Sequence, residues 1–265
     1  MAMTLRQKQA AGRYAQYALL AVLALVLILV ADWQTLSRAV FNPEIIAQQF
    51  PQVITVALKN TLIYTLLGFI VGLTGGIILA LMKLSSIAPY RWLATLYIEL
   101  FRGLPALVVF LAFGYGIPLA FGVRFNSYVT VMLALGLVAA AYISEVLRAG
   151  IQAVPKGQLE AARSLGMSHS RAMVTIVIPQ AFRIVLPPLT NEVILLTKDS
   201  SLVYLLGMSV TQYELAKFGR EGISASGAGL TPLVVAGFCY LIITVPLGQL
   251  ARTFEKRTNS RSRAS

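Results

Sequence analysis

Six stretches of this chain, about 14–31, 53–82, 92–121, 127–149, 173–197 and 231–251, are apolar for as long as a membrane crossing requires. A bilayer core takes roughly 20 helical residues, and a helix satisfies its own backbone N–H and C=O groups where no water is present. The chain therefore reads as an all-α integral membrane protein with about six transmembrane helices. Of its 265 residues 57% are hydrophobic and only 12% are charged, more apolar surface than one soluble core of this length needs. A net charge of +12 raises the question of nucleic acid. The basic residues sit at the ends of apolar runs instead of forming a stripe with interleaved aromatics, so no nucleic-acid partner is expected. Cys239, the single cysteine, lies inside an apolar run, which excludes an intrachain disulfide and a cysteine metal cluster.

The loops alternate in charge. Arg6, Lys8 and Arg13 precede the first span, Lys83 and Arg91 join the second to the third, and Arg148, Lys156, Arg163, Arg171 and Arg183 surround the connection after the fourth. Arg252, Lys256, Arg257, Arg261 and Arg263 form a basic tail, whereas the opposite loops carry Arg38, Arg124, Lys198, Lys217 and Arg220. The positive-inside rule then puts both termini in the cytoplasm. Tyr14 to Val30 behind a basic start also describes a secretory signal peptide, but its length and the poor cleavage site argue for retention as a helix. Trp33 to Phe50 reads as an amphipathic or irregular external segment. Lys198 to Leu230, with Gly219, Gly222, Gly227 and Gly229, reads as an external loop with a partly helical start. Gly68, Gly72, Gly75 and Gly76 in the second span, and Gly136, Ala139, Ala140 and Ala141 in the fourth, let helix backbones approach closely. Packing within the chain is favoured over a subunit interface.

The most specific segment is the connection Gln158-Leu159-Glu160-Ala161-Ala162-Arg163-Ser164-Leu165-Gly166-Met167, near 158–168. Leu159, Ala162 and Leu165 lie three apart on one helical face, Glu160 near the helix start suits the macrodipole, and Gly166 can end the helix. Ala161 and Ala162 allow close seating in a partner's groove, with Glu160 and Arg163 as charges at its rim. On physical grounds this is a docking element.

This segment resembles the EAA loop of ABC importer permeases: Glu-Ala-Ala, three residues, Gly, nine residues, then Ile, any residue, Leu and Pro. Glu160, Ala161, Ala162, Gly166, Ile176 and Pro179 match, and Ile178 replaces the usual Leu, a volume-conserving change. The stretches Tyr97 to Pro105, Arg148 to Gln152, Val154 to Gln158 and Lys198 to Leu202 are similar to the branch that takes up polar amino acids such as histidine, glutamine, glutamate and arginine. Leu104 stands where that branch commonly has Thr or Ser. The resemblance implies a type I importer permease: a five-helix core over 52–251, preceded by an extra N-terminal helix and external segment in 1–51 and followed by a cytoplasmic tail, 252–265. It implies a bacterial inner-membrane location and coupling through Glu160, Ala161, Ala162, Arg163 and Gly166 to an ATP-binding-cassette ATPase dimer. It also implies a second permease subunit, identical or related, and an extracytoplasmic amino-acid-binding protein. The chain itself would hold no cofactor, with ATP and magnesium on the partner ATPase, and would have no catalytic or metal site.

Five charged residues fall in or beside the third, fourth and fifth spans. Glu99 with Arg102, and Glu145 with Arg148, share a Glu-x-x-Arg spacing, so each carboxylate can neutralise its own guanidinium; a role in the substrate path weighs equally. Glu192 has no basic residue three or four positions away, and with Asn191 it forms the pair expected to meet an amino-acid ammonium group. Pro187-Pro188 is expected to distort that helix and open it to water. His169 is the only histidine and no Gly-x-x-x-x-Gly-Lys-Ser/Thr loop occurs, so neither a histidine triad nor ATP hydrolysis by that route is available. An ion-coupled secondary transporter is the second reading, set back by six spans without a detectable inverted repeat; an intramembrane hydrolase and a plain membrane anchor fit less well.

Overall fold

Helices fill the apolar runs, and polar residues between the runs supply their caps. The computed structural model describes residues 5–226 and 229–262, with side chains over 12–224 and 229–258, so Gly227 of the glycine-rich loop and Arg261 and Arg263 of the tail lie wholly or in their side chains outside it. Helix α1 (Leu5–Val30) leads into two short helices, α2 (Trp33–Val40) and α3 (Pro43–Gln49). Asp32 accepts from the Thr35 N–H at 3.0 Å to cap α2, and Asn42 accepts from Glu44 and Ile45 to cap α3. A π-helical turn, Val53–Leu58, runs into α4 (Lys59–Leu84), followed by α5 (Ala88–Gly103), α6 (Ala106–Leu111) and α7 (Ile117–Phe121). After α8 (Ser127–Gln152) come α9 (Lys156–Ser164), α10 (His169–Ala172) and α11 (Ile178–Asp199), and the chain ends with α12 (Leu215–Ser226) and α13 (Thr231–Ser262). No strand occurs among the described residues.

Among the described residues five helices are long and apolar enough to cross a membrane, and the pair Ala88–Gly103 and Ala106–Phe121, bent by 100°, makes a sixth crossing if counted as one span. The uninterrupted span expected over 92–121 is thus broken. Pro105 forces Leu104 into an extended conformation, φ −91° and ψ 136°, and the helix stops there. The bent pair still carries the chain across, because the Tyr128 hydroxyl at the start of α8 lies 3.4 Å from the Asn60 side chain at the start of α4. The fifth span departs in the opposite sense. Helix α11 runs unbroken through Pro187 and Pro188. The Arg183 carbonyl, which Pro187 cannot serve, accepts instead from the Thr258 hydroxyl of α13 at 3.3 Å. Pro118 and Pro179 are each the second residue of a helix that follows a π-helical turn, where the local register is already relaxed.

Helices α4 and α8 form the centre of the bundle. A Cβ at Gly72 would lie 2.6 Å from the Ala139 Cβ, one at Gly68 2.7 Å from the Leu135 Cβ, and one at Gly136 2.5 Å from Val71 Cγ1. These small residues serve packing within the chain, the favoured expectation, and no lipid-exposed pair of this closeness would form without them. Tyr64, Phe110, Val131, Leu135, Ile143 and Val185 lie in the core that surrounds this contact. By contrast, none of the residues Gly12–Val30 is buried.

The end of the bundle holding α2, α3 and α12 is tied together by polar groups. The Asn60 amide donates to the Thr211 and Tyr213 carbonyls at 2.9 and 3.0 Å, the Tyr64 hydroxyl donates to the Gln212 carbonyl at 2.9 Å, and the Asn42 N–H donates to Thr231 Oγ1 at 3.2 Å. The segment from Trp33 to Phe50 is therefore two capped helices seated on the start of α13. The segment from Lys198 onward is more helical than expected, with 3-10 turns at Ser200–Leu205 and Val210–Gln212 before α12. Glu214, at the head of α12, is fully buried and accepts from the Ala216 and Lys217 N–H groups, both at 2.6 Å, and from the Tyr240 hydroxyl at 2.9 Å.

Candidate functional site

Helix α11 buries Val185, Leu189 and Leu196 against α8 and turns an adjacent face, with Glu192 and Asp199, into a cavity of about 250 Å³. Residues seven apart on a helix share a face, so the two carboxylates enter the same space. Phe110 of α6 and Ala134, Val138 and Tyr142 of α8 supply apolar and aromatic walls, and Glu192 and Asp199 are the charged residues among those that line it. Asn191, expected to act with Glu192, is exposed and lies outside this lining, since adjacent residues diverge by about 100° around a helix. Asp199 and Tyr142 were missed. The 192/199 spacing was the available signal for the first, whereas Tyr142 joins the cavity only through tertiary packing.

The two Glu-x-x-Arg pairs behave differently. Glu145 accepts from Arg148 at 2.7 Å and also meets Lys83 of α4 at 3.1 Å, while Arg148 donates to Gln152 at 2.7 Å. This cluster joins the ends of α4 and α8 and has no place in the cavity lining. Glu99 and Arg102 do not form the expected ion pair. Glu99 is exposed, and the Arg102 guanidinium lies over the Tyr142 ring, 5.7 Å from its centroid, drawn to the aromatic face of α8.

The segment expected to dock folds as α9 and ends at Gly166, whose φ of +86° is readily reached by glycine. The Met167 N–H donates to the Ala162 carbonyl at 3.1 Å and the Gly166 N–H to Arg163 at 3.0 Å, a Schellman closure. Ser168 then caps α10 by accepting from the Arg171 N–H at 3.3 Å. The faces differ from expectation in two residues. Ala162 is buried in the chain itself, and Leu159 packs on Val154, Val177 and Ala181, so Ala162 is not free to seat in a partner. Leu165 lies past the helix end and is 86% exposed, off the face it was expected to share. Glu160, Ala161, Arg163 and Gly166 face away from the body of the chain and are exposed.

The bundle thus has one broken span, a short polar helix with an exposed outer face and a cavity between α6, α8 and α11, and sequence comparison places it in a family. The family described as binding-protein-dependent transport system inner membrane component matches residues 72–260, and the chain belongs to it as a multi-pass inner-membrane permease of the ABC importers. It is 34% identical over 203 residues to the arginine transport system permease protein ArtQ of Bacillus subtilis, covering 77% of this chain and 91% of that protein. It is 35% identical over 205 residues to the glutamate/aspartate import permease protein GltK of Escherichia coli O6:H1, covering 75% and 90%. Among solved structures, an amino acid ABC transporter with histidines matches with a TM-score of 0.72 at 36% identity, over 80% of this chain and 96% of that one. A bacterial ABC transporter for the acidic polysaccharide alginate shares the fold alone, with a TM-score of 0.65 at 16% identity.

Proposed function

We propose that this chain is the membrane-spanning subunit of an importer for polar amino acids, driven by ATP hydrolysis on a separate ATPase dimer. The observation that carries the reading is α9, a short polar helix whose one side packs on its own chain while Glu160, Ala161 and Arg163 remain exposed beside the turn at Gly166. A helix held this way is a rigid lever, since motion of whatever grips its outer face passes to α11 through Leu159, Val177 and Ala181. Relatives named for arginine and for glutamate/aspartate support amino acids as the cargo. In this reading an extracytoplasmic binding protein delivers the substrate at the α12 end, a second permease completes the channel, and both termini are cytoplasmic. Glu192 lies on the substrate path, whereas Glu145 and Arg148 brace α4 against α8. ATP and magnesium act on the ATPase, and the chain's contribution is conformational.

The test replaces Gly166 by Asp and, separately, Glu160 by Lys in the assembled complex reconstituted in liposomes. Both variants should insert and assemble but lose substrate-stimulated ATP hydrolysis, because a bulky or reversed charge spoils seating in the partner's cleft. Normal coupling in both would remove α9 from the pathway.

A further inference from the structure

Helix α1 and the short helix after it precede the residues, 72–260, that match the family, and their surface is left over by the bundle. Every residue from Gly12 to Val30 is exposed, whereas the spans at Val53–Leu84, Ser127–Gln152, His169–Leu205 and Thr231–Thr258 each bury part of their surface. Leu19, Leu20, Val22 and Leu23 point around a full turn, and each is more than half exposed, so α1 is apolar on all sides. It also lacks the seam that lets α4 and α8 approach. Val22, Leu25 and Ile28 stand four places after Ala18, Ala21 and Ala24, so no pair of small residues four apart occurs from Ala18 onward in the span. From Tyr14 to Val30 the axis rises about 24 Å, which sets Tyr14 and Trp33 near opposite faces of a bilayer core of roughly 30 Å.

Helix α2 fixes where the far end of α1 stands. The Trp33 indole N–H donates to the Ile28 carbonyl at 2.7 Å, one of the last four carbonyls of α1, which lack a partner within the helix. The ring is thereby held beside the end of the span and stays 55% exposed. Trp33, Leu36 and Val40 form one side of α2, and Gln34, Ser37 and Arg38 form the other. At the other end the Ala39 carbonyl accepts from the Leu230 N–H at 2.6 Å, next to the start of α13. With eight residues α2 is about 12 Å long, more than the roughly 8–10 Å between the axes of packed helices. It acts as a strut that joins α1 to α13 without packing one on the other. Arg38 is exposed and forms no ion pair among the described residues.

We propose that α1 and α2 form a phospholipid-binding arm. Helix α1 stands in the acyl chains apart from any second subunit, and α2 lies in the interface with Trp33 and Leu36 toward the acyl chains and Arg38 on the phosphates. Tryptophan suits that depth because one part of its ring system is apolar and its N–H is polar. A short helix with a large apolar side and a cation on its polar side lies in the interface plane, and a guanidinium meets a phosphate through paired N–H donors. A protein partner for α1 needs small residues in register or polar groups to pair with, and the stretch from Ala18 to Val30 offers neither.

The experiment introduces the photoreactive residue p-benzoylphenylalanine at Leu25 of α1 and, separately, at Leu36 of α2. The complete complex is illuminated in nanodiscs of phosphatidylethanolamine and radiolabelled phosphatidylglycerol. Both positions should attach labelled lipid, and the same probe at Ser224, exposed on α12, should attach at least tenfold less. Arg38→Gln should lower labelling at position 36 at least threefold and leave position 25 unchanged, and Arg38→Lys should keep most of it. A main product of two protein chains linked at position 25 would seat α1 on a second subunit, and one at position 36 would seat α2 on a protein partner. Either result, absence of label at both positions, or labelling at 36 unaltered in Arg38→Gln overturns the proposal, and none of them bears on the reading of the chain as an importer subunit.

Discussion

Glu214 was given no role by its sequence context, yet it is the most deeply buried carboxylate outside the spans. Burial pushes its pKa from 4.5 up to about 7, against the pull of the Ala216 and Lys217 N–H groups and the Tyr240 hydroxyl. Lys217 does little to neutralise it, being paired with Glu221 at 2.9 Å, and Tyr64 is the other titratable group that senses it from α4. The folded chain therefore holds a proton on Glu214 between about pH 4.5 and 7 that the unfolded chain has released. Stability from this group is fully present below pH 4.5 and falls as the pH rises through about 7. Thermal unfolding of the detergent-solubilised protein should occur at a lower temperature at about pH 8 than at about pH 5, and Glu214→Gln should shrink the difference. An unchanged difference in the variant would assign the pH dependence elsewhere.

Between elements, the α4–α8 contact depends on hydrogen atoms standing where side chains would collide. Gly72→Ala would set two Cβ atoms 2.6 Å apart, with the methyl of Ala139 offering no flexible end to move aside. The helices must separate, at a cost of about 1–3 kcal/mol by analogy with overpacked cores. The midpoint of thermal unfolding should fall measurably, and Gly72→Ala combined with Ala139→Gly should recover most of the loss. Failure of the double variant to recover would show that the glycine serves something other than this contact. Gly12, which has nothing within 4 Å of a built Cβ, is the matched control and should tolerate Ala.

Across the whole molecule, hydrogen bonds sort the loops to two ends. Asn42, Asn60, Gln212 and Thr231 meet at one, and Gln158, Gln180, Arg183 and Thr258 meet at the other. The charge asymmetry predicts that the second end faces the cytoplasm. Cysteines introduced at Ser168 and Ser224, both exposed, report on the two ends separately. In intact cells an impermeant thiol reagent should label the cysteine at position 224 and leave that at 168 unmodified until the membrane is opened. Labelling in the reverse sense would invert the orientation.

The six apolar runs, the short polar helix at 156–164 and its glycine stop were legible in the sequence because each depends on composition or on residues within a few positions of one another. The close α4–α8 approach was legible as small residues in two spans, though not their register. The 100° bend at Pro105 and the continuity of α11 through Pro187 and Pro188 look alike in sequence as proline in an apolar run. In α11 the carbonyl that Pro187 leaves free has a tertiary neighbour, the Thr258 hydroxyl at 3.3 Å, which arrives only when α13 folds back. The charges divide in the same way. Local spacing found Glu145 with Arg148, but only packing could add Lys83, turn Arg102 to Tyr142, bury Glu214 and aim Asp199 into the space beside Glu192. Helix formation is settled by near neighbours, whereas the partner of a buried charge is set by elements distant in sequence, and only the assembled bundle decides which of them meet.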